Sequence, residues 1–398
     1  MTASFTIVLD DQEVTAYPGE TLWQVAKRAG EAIPHLCFKD APGYRADGNC
    51  RACMVEVEGE RVLAASCIRE AKPGMVVRSA HSPRATQARE TVLELLMADQ
   101  PSRAQSPDRS SHFWEVADQL AVDEAAVKSW LPPRRKAAVS HAAAMPTVSQ
   151  PDTSHPAMHV NLDACITCNL CVRACREVQS NDVIGMAQRG AAATVVFDFA
   201  DPMGQSTCVG CGECVQACPT GALMPATVVN AAGQGDSQSQ RQVDSVCPYC
   251  GVGCQLTYHI NDDALAYVEG RNGPANQNRL CVKGRFGFDY VSHPTRLTKP
   301  LIRLPGIPKV LDSTFDPANP FSHFREASWD EALDRIARHM KNDRDENFVT
   351  QDENGNTVNH WLTAGFLAAS ASSNETGYLT HKVVRSLGML AFDNQARV

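Results

Sequence analysis

The sequence predicts a multidomain α+β protein organised around metal-binding cysteines. Three observations carry that prediction. The sixteen cysteines fall into four groups of four with none left over. The front of the chain runs in short alternating β-like segments, whereas residues beyond Leu301 combine helical apolar spacing with an apolar strand-like run. Stretches poor in apolar residues separate these regions. A length of 398 residues allows two to four domains. A net charge of −8, with no lysine-arginine block interleaved with aromatics, argues against a nucleic-acid partner. No apolar run approaches a membrane span. Met1–Asp10 has neither the charged nor the apolar part of a signal peptide, and Arg134-Arg135 lies in mid-chain after Pro132-Pro133. A cytoplasmic location is therefore expected, where cysteines in this number serve metals rather than disulfides.

In residues 1–80, Phe5–Leu9 and Gln12–Ala16 read as strands joined by a tight acidic turn. Pro18-Gly19 breaks the pattern, and Thr21 with Gln24 fits a capping box for a helix over Leu22–Ala29, stopped by Gly30. Met54–Val57 and Arg61–Ala65 alternate around Glu58-Gly59-Glu60 as a hairpin would. Cys37, Cys50, Cys53 and Cys67 are spaced x12, x2 and x13. One pair with two outliers suits a [2Fe–2S] rhomb, where each iron needs two thiolates; a four-cysteine zinc site is the alternative. Plant-type ferredoxins open with x4 instead. The longer first gap resembles the amino-terminal ferredoxin-like domain, a β-grasp fold, of the large iron–sulfur subunit of respiratory NADH dehydrogenase. Iron-only hydrogenases and NAD-linked formate dehydrogenases share it.

Residues 81–158 read as a helical segment and linker. Ala85–Ala98 is amphipathic through Val92, Leu95 and Leu96, and Glu115–Trp130 reads as another helix. In the resembling family this segment leads to a [4Fe–4S] cluster with one histidine and three cysteine ligands. Here it contains His112 but no cysteine, so that cluster is expected to be absent and His112 to be a surface residue. Pro132 to Met158, rich in Pro, Ala and Ser, reads as a linker.

Residues 159–229 contain CITCNLCVRAC and, thirty-two residues later, CVGCGECVQACP. This is the spacing by which bacterial-type ferredoxins hold two [4Fe–4S] clusters, the fourth cysteine of each run serving the other cluster. Cys165, Cys168, Cys171 and Cys218 form one expected site, and Cys208, Cys211, Cys214 and Cys175 the other. The first run has Arg176 where the second has Pro219. A pair of zinc sites is the alternative left by Cys-x2-Cys spacing. Ala193–Phe199 reads as a strand between the halves. Residues 230–245 read as an exposed linker, since Asn230–Gln242 has almost no apolar content.

In residues 246–302, Cys247, Cys250 and Cys254 are spaced x2 and x3, and Cys281 follows after twenty-six residues. Gly251 and Gly253 would let the backbone wrap closely. This resembles the amino-terminal [4Fe–4S] domain of molybdopterin oxidoreductases of the bis-guanylate type. The resemblance implies that Lys283, just beyond the fourth cysteine, lies between cluster and pterin. Its ammonium would stabilise negative charge passing there, the alternative being a surface lysine. Arg285 belongs to the same run without an assigned role.

Residues 303–398 read as the start of an α/β pterin-binding domain. Trp329–Met340 has helical spacing with Ser328 as N-cap, and Trp361–Ala369 reads as a strand. SSNETGYLTHKVVRSLGML supplies a cap and an amphipathic helix. By resemblance, Asn374 and Glu375 are candidates for contacts to a guanylate-pterin, and equally for capping the helix. The final GMLAFDNQARV resembles the segment just before the metal ligand of formate dehydrogenases, where selenocysteine or cysteine comes next. A UGA selenocysteine codon read as a stop is the expectation that this ending suggests.

Together the resemblances imply the amino-terminal part of a formate dehydrogenase alpha subunit with a complex-I-like front. They imply formate oxidation to carbon dioxide at molybdenum or tungsten bound by bis-molybdopterin guanine dinucleotide. Electrons would pass through the Cys247 cluster, the paired clusters and the [2Fe–2S] centre to a partner subunit, one carrying flavin and NAD or another electron-accepting one. Residues 1–398 alone are expected to bind clusters but not to oxidise formate. Two alternatives stay open: a non-catalytic electron-transfer subunit as in NADH dehydrogenase, and the electron-input module of an iron-only hydrogenase.

Overall fold

The computed structural model describes residues 4–130, 151–309, 315–316, 319–369 and 371–394. Most of the expected 132–158 linker, and the last four residues of the chain, lie outside the described residues. The chain divides into two compact units, Met1–Ser245 with Cys254–Phe286, and Val246–Gly253 with Gly287–Val398.

The first unit opens with β1 (Phe5–Leu9) and β2 (Gln12–Ala16), antiparallel from Phe5↔Ala16 to Leu9↔Gln12. Asp10 and Asp11 both have positive φ, 45° and 68°, as a two-residue hairpin turn requires. Helix α1 (Leu22–Arg28) starts in the expected capping box, with Thr21 and Gln24 exchanging side-chain and backbone bonds. Then come β3 (Met54–Val57), β4 (Ala64–Ala65) and β5 (Val76–Arg78), giving the sheet order β2-β1-β5-β3-β4. Strand β4 keeps only the last two residues of the expected Arg61–Ala65. The unforeseen β5 fills the sheet's centre, parallel to β1 and antiparallel to β3. Ile7, Leu22, Val25, Val55 and Val77 close the core between sheet and helix.

Helix α2 (Pro83–Ala98) begins at the Ser82 cap, with proline in its first turn. Its buried stripe is Ala85, Arg89, Leu93 and Met97. Leu95, expected to face the core, is 46 % exposed instead. The single helix expected over Glu115–Trp130 is two, α3 (His112–Gln119) and α4 (Glu124–Trp130). Ala121, at φ 51°, interrupts them, because a left-handed residue cannot continue a right-handed helix.

The two cysteine runs are built alike. Strand β6 (Met158–Val160) precedes the first run, which continues into α5 (Leu170–Arg173). Strands β7 (Ile184–Ala187) and β8 (Thr194–Phe197) pair antiparallel, and the second run continues into α6 (Glu213–Ala217). Strand β9 (Leu223–Pro225) closes the repeat by pairing with β6.

The expected linker at 230–245 is not a free one. Gly235 N–H donates to the Pro107 carbonyl, Ser237 N–H to the Asp108 carboxylate at 3.2 Å, and the Gln234 amide to the Ala104 carbonyl at 2.8 Å. A polar segment docks here through hydrogen bonds, which apolar counting does not register. Strands β10 (Arg241–Val246), β11 (Gln255–Asn261) and β12 (Ala264–Gly270) form a sheet in that order, and α7 (Val282–Phe286) ends the unit.

In the second unit, β13 (Leu301–Arg303) pairs with β14 (Phe324–Glu326). Helix α8 (Trp329–Asn347) has the expected Ser328 cap and runs seven residues past Met340. Strand β15 (Phe348–Gln351) lies antiparallel to β16 (Thr357–Ala368). Helix α9 (Asn374–Ser386) then crosses to β17 (Met389–Asn394), parallel to β16. Trp361 anchors this β-α-β unit at 1 % exposure, bonding through its indole N–H to the Asp343 carboxylate at 2.7 Å. No described helix is long and apolar enough to cross a membrane.

Candidate metal centres

The loops of the two paired cysteine runs share one backbone shape. Thr167 and Asn169 have φ 53° and 67°; Gly210 and Gly212, at the matching places, have 67° and 68°. This left-handed alternation turns backbone N–H groups inward. Thr167 N–H donates to Cys165 Sγ and Gly210 N–H to Cys208 Sγ, both at 3.4 Å. Such bonds favour the thiolate and the negative charge of a cluster it ligates.

Cys165, Cys168, Cys171 and Cys218 line one cavity, with Leu162 and Leu223 among its apolar walls. Three of these thiols come from the first run and one from the end of the second. Burial pushes the Cys168 and Cys171 thiols up, and the neighbouring thiols of the same set, Cys165 and Cys218 included, push them further. In the other half, burial raises Cys208, Cys211 and Cys214, and the proximity of Cys175 of the first run raises all three further. Val183 N–H donates to Cys175 Sγ at 3.4 Å. Thiols crowded this way resist ionising together unless a cation holds them, and a coordinated iron deprotonates its thiol outright. Among the described residues, no three His, Cys, Asp or Glu side chains converge as ligands of a single metal ion. The donor sets and their cavity fit a polynuclear iron–sulfur group.

The front domain groups its thiols in pairs. The Cys50 thiol and backbone N–H, the latter 3.3 Å away, hold Cys37 down to about 6. The Cys67 thiol holds Cys53 down to about 7. The four thiols thus lie in two hydrogen-bonding pairs, Cys37 with Cys50 and Cys53 with Cys67. His112 is not a free surface residue: its Nε2 lies 2.8 Å from the His35 carbonyl oxygen and its Nδ1 3.0 Å from Glu115. It ties α3 to the loop that carries Cys37.

Of the last cysteine group, Cys254 and Cys281 belong to the first unit and Cys247 and Cys250 to the second. Lys283 is exposed on α7. In the second unit, Ser373 caps α9 by accepting from Thr376 N–H at 3.2 Å. Asn374 instead donates its amide to the Gly251 carbonyl at 3.0 Å, within the CPYCGVGC loop. Glu375 lies in the first turn of α9, where backbone N–H donors hold its carboxyl below the usual range.

Sequence reasoning missed the buried charges between these loops. Arg285 is 3 % exposed and Glu213 1 %, and they pair at 3.1 Å. Arg285 also donates to the Cys211 carbonyl at 3.1 Å and to Gln216. Glu213 further accepts from Tyr44 Oη at 2.8 Å and lies 3.9 Å from Lys39 Nζ. Arg173, 1 % exposed, reaches the carbonyls of Cys37 and Cys168. The available signal was a charged residue inside a cysteine run that must be buried to shield its metal.

A 2Fe-2S iron-sulfur cluster binding domain matches residues 2–82, a 4Fe-4S dicluster domain residues 164–222, and a molybdopterin oxidoreductase Fe4S4 domain residues 240–293. A subunit of the NADH-quinone oxidoreductase of Rhizobium meliloti is 31 % identical over 84 % of this chain and 35 % of its own length. The formate dehydrogenase-O major subunit of Escherichia coli is 45 % identical over 40 % of this chain and 15 % of its own. The alpha subunit of the NADPH-Fe(3+) oxidoreductase of Geobacter sulfurreducens is 25 % identical over 99 % of this chain and 40 % of its own. The chain thus spans well under half the length of these relatives. The three matched domains are iron–sulfur domains, the last of the molybdopterin oxidoreductase type, and the chain is similar to parts of NADH-quinone oxidoreductase and formate dehydrogenase subunits.

Proposed function

We propose that this iron–sulfur module relays electrons between a molybdenum or tungsten bis-molybdopterin guanine dinucleotide, where formate becomes carbon dioxide, and a partner subunit carrying flavin and NAD. The observation that carries the relay is the exchanged cysteine set, Cys165, Cys168 and Cys171 with Cys218, around one cavity. We assign Cys208, Cys211, Cys214 and Cys175 to the second [4Fe–4S] site, and Cys37, Cys50, Cys53 and Cys67 to the [2Fe–2S] site. Cys247, Cys250, Cys254 and Cys281 are assigned to the third [4Fe–4S] site. When bound, the clusters supply one-electron chemistry; the chain supplies ligation, burial and hydrogen bonds to sulfur. Lys283, next to the last site, would face the pterin.

Formate as substrate is supported by the Escherichia coli relative and by the resemblance of residues 388–398 to the approach to a formate dehydrogenase metal ligand. The Rhizobium relative supports a second reading, a relay subunit with no formate chemistry of its own. Formate added anaerobically to the complex purified from native cells should reduce this chain's clusters, visible as new EPR signals. Residues 1–398 alone should give neither those signals nor formate-dependent dye reduction. Clusters that formate leaves oxidised in the complex would favour the second reading.

A further inference from the structure

Arg173 sits inside the first cysteine run, two residues after Cys171 and two before Cys175, and its side chain reaches both that run and the loop of Cys37. One nitrogen, Nη2, donates to the carbonyl of Cys37 at 2.7 Å and to that of Cys168 at 3.4 Å. Nη1 donates to the Arg45 carbonyl, and Nε lies 3.4 Å from both the Asn169 carbonyl and the Asp47 carboxylate. The two cysteine carbonyls belong to loops with no strand or helix ladder to satisfy them, and they come from different domains. The guanidinium is almost wholly withdrawn from water, and Asp47 is 10 % exposed. A charge placed there is weakly screened.

We propose that Arg173 is the positioning residue of the junction between the [2Fe–2S] site and the Cys165 site. Its fork fixes the Cys37 and Cys168 loops against each other, and its charge, balanced by Asp47, sets the reduction potentials of both sites together. The inference rests on the cluster assignment above. A fixed cation favours the reduced, more negative form of each cluster, and removing its counter-charge favours that form more. Arg176 serves as a contrast: it is one residue from Cys175, but its side chain is half exposed and pairs with Asp182 at 2.6 Å.

EPR-monitored redox titration of the anaerobically purified 1–398 chain tests this. Arg173→Gln should lower both midpoint potentials, on the order of tenfold in each reduction equilibrium, or about 59 mV for a one-electron couple. Asp47→Asn should raise both. Arg173→Lys should keep the sign of the charge and stay nearer the parent. Arg176→Gln should move neither of the two. If Arg173→Gln costs the clusters, the upward shift in Asp47→Asn decides. Unmoved potentials in Asp47→Asn, or movement of only one of the two, would overturn the proposal. A parent chain lacking iron and sulfide would instead sink the cluster assignment on which it rests.

Discussion

The Arg285 guanidinium and the Glu213 carboxylate meet at 3.1 Å with both side chains nearly sealed from water. Seventy-two positions separate them, and the pair joins α7 to the start of α6, beside Cys211 and Cys214. Lys39 and Tyr44 reach the same carboxylate from the front domain. Three sequence regions with three cysteine groups therefore share one buried charge.

Breaking this pair from one side leaves an uncompensated buried charge. Glu213→Gln or Arg285→Met should each cost about 3–5 kcal/mol, whereas removing both should cost less than the sum. Urea midpoints of the single and double variants check this; additive losses would mean that the two side chains do not act on each other.

The exchanged ligands make a crosswise prediction. Cys218→Ser, although it lies in the second run, should remove or alter the cluster of Cys165, Cys168 and Cys171. Cys175→Ser should do so for the cluster of the second run. EPR of the reduced variants distinguishes the two centres. Loss confined to the mutated run's own three cysteines would refute the exchange.

His112→Ala should leave the iron content unchanged, because its ring bonds the His35 carbonyl and Glu115 rather than a metal. Stability should fall by about 1 kcal/mol, the typical worth of a hydrogen bond. Iron analysis beside thermal melting reads both; iron lost in the variant would make His112 a ligand.

His159, 5 % exposed on β6, has no partner for either ring nitrogen among the described residues. Burial holds its pKa below the ordinary 6.5, and Asp152 only partly opposes this. The folded chain therefore binds this proton less readily than the unfolded chain. The linked stability is full above about pH 6.5 and declines as the pH falls toward the folded value. His159→Leu should flatten that decline and be neutral or stabilising near pH 7, since it removes unsatisfied polar atoms. Melting temperatures of both proteins between about pH 5 and 8 should show the parent falling faster on the acid side. Parallel curves would rule out this source of acid sensitivity.

How far the sequence speaks depends on the range of the interaction. The capping box at Thr21, the Ser328 cap and the strands at Phe5 and Gln12 are local, and their residues alone set them. The cysteine spacing likewise encodes the loop geometry at Thr167 and Gly210. Strand β5 is three residues long and gains its place only from β1 and β3, so no periodicity announces it. The 120–122 break depends on one left-handed alanine. The docked 230–245 segment, Arg173 and Arg285 depend on partners about 70 to 140 positions away. Such contacts exist only after the domains have met.

We infer that the sixteen cysteines hold iron–sulfur clusters in series. Iron and acid-labile sulfide assays on the anaerobically purified chain, with EPR of the reduced protein, test it most directly. One [2Fe–2S] and three [4Fe–4S] clusters predict a brown protein with about fourteen irons and as many sulfides per chain. A colourless, zinc-bearing protein without sulfide would contradict it.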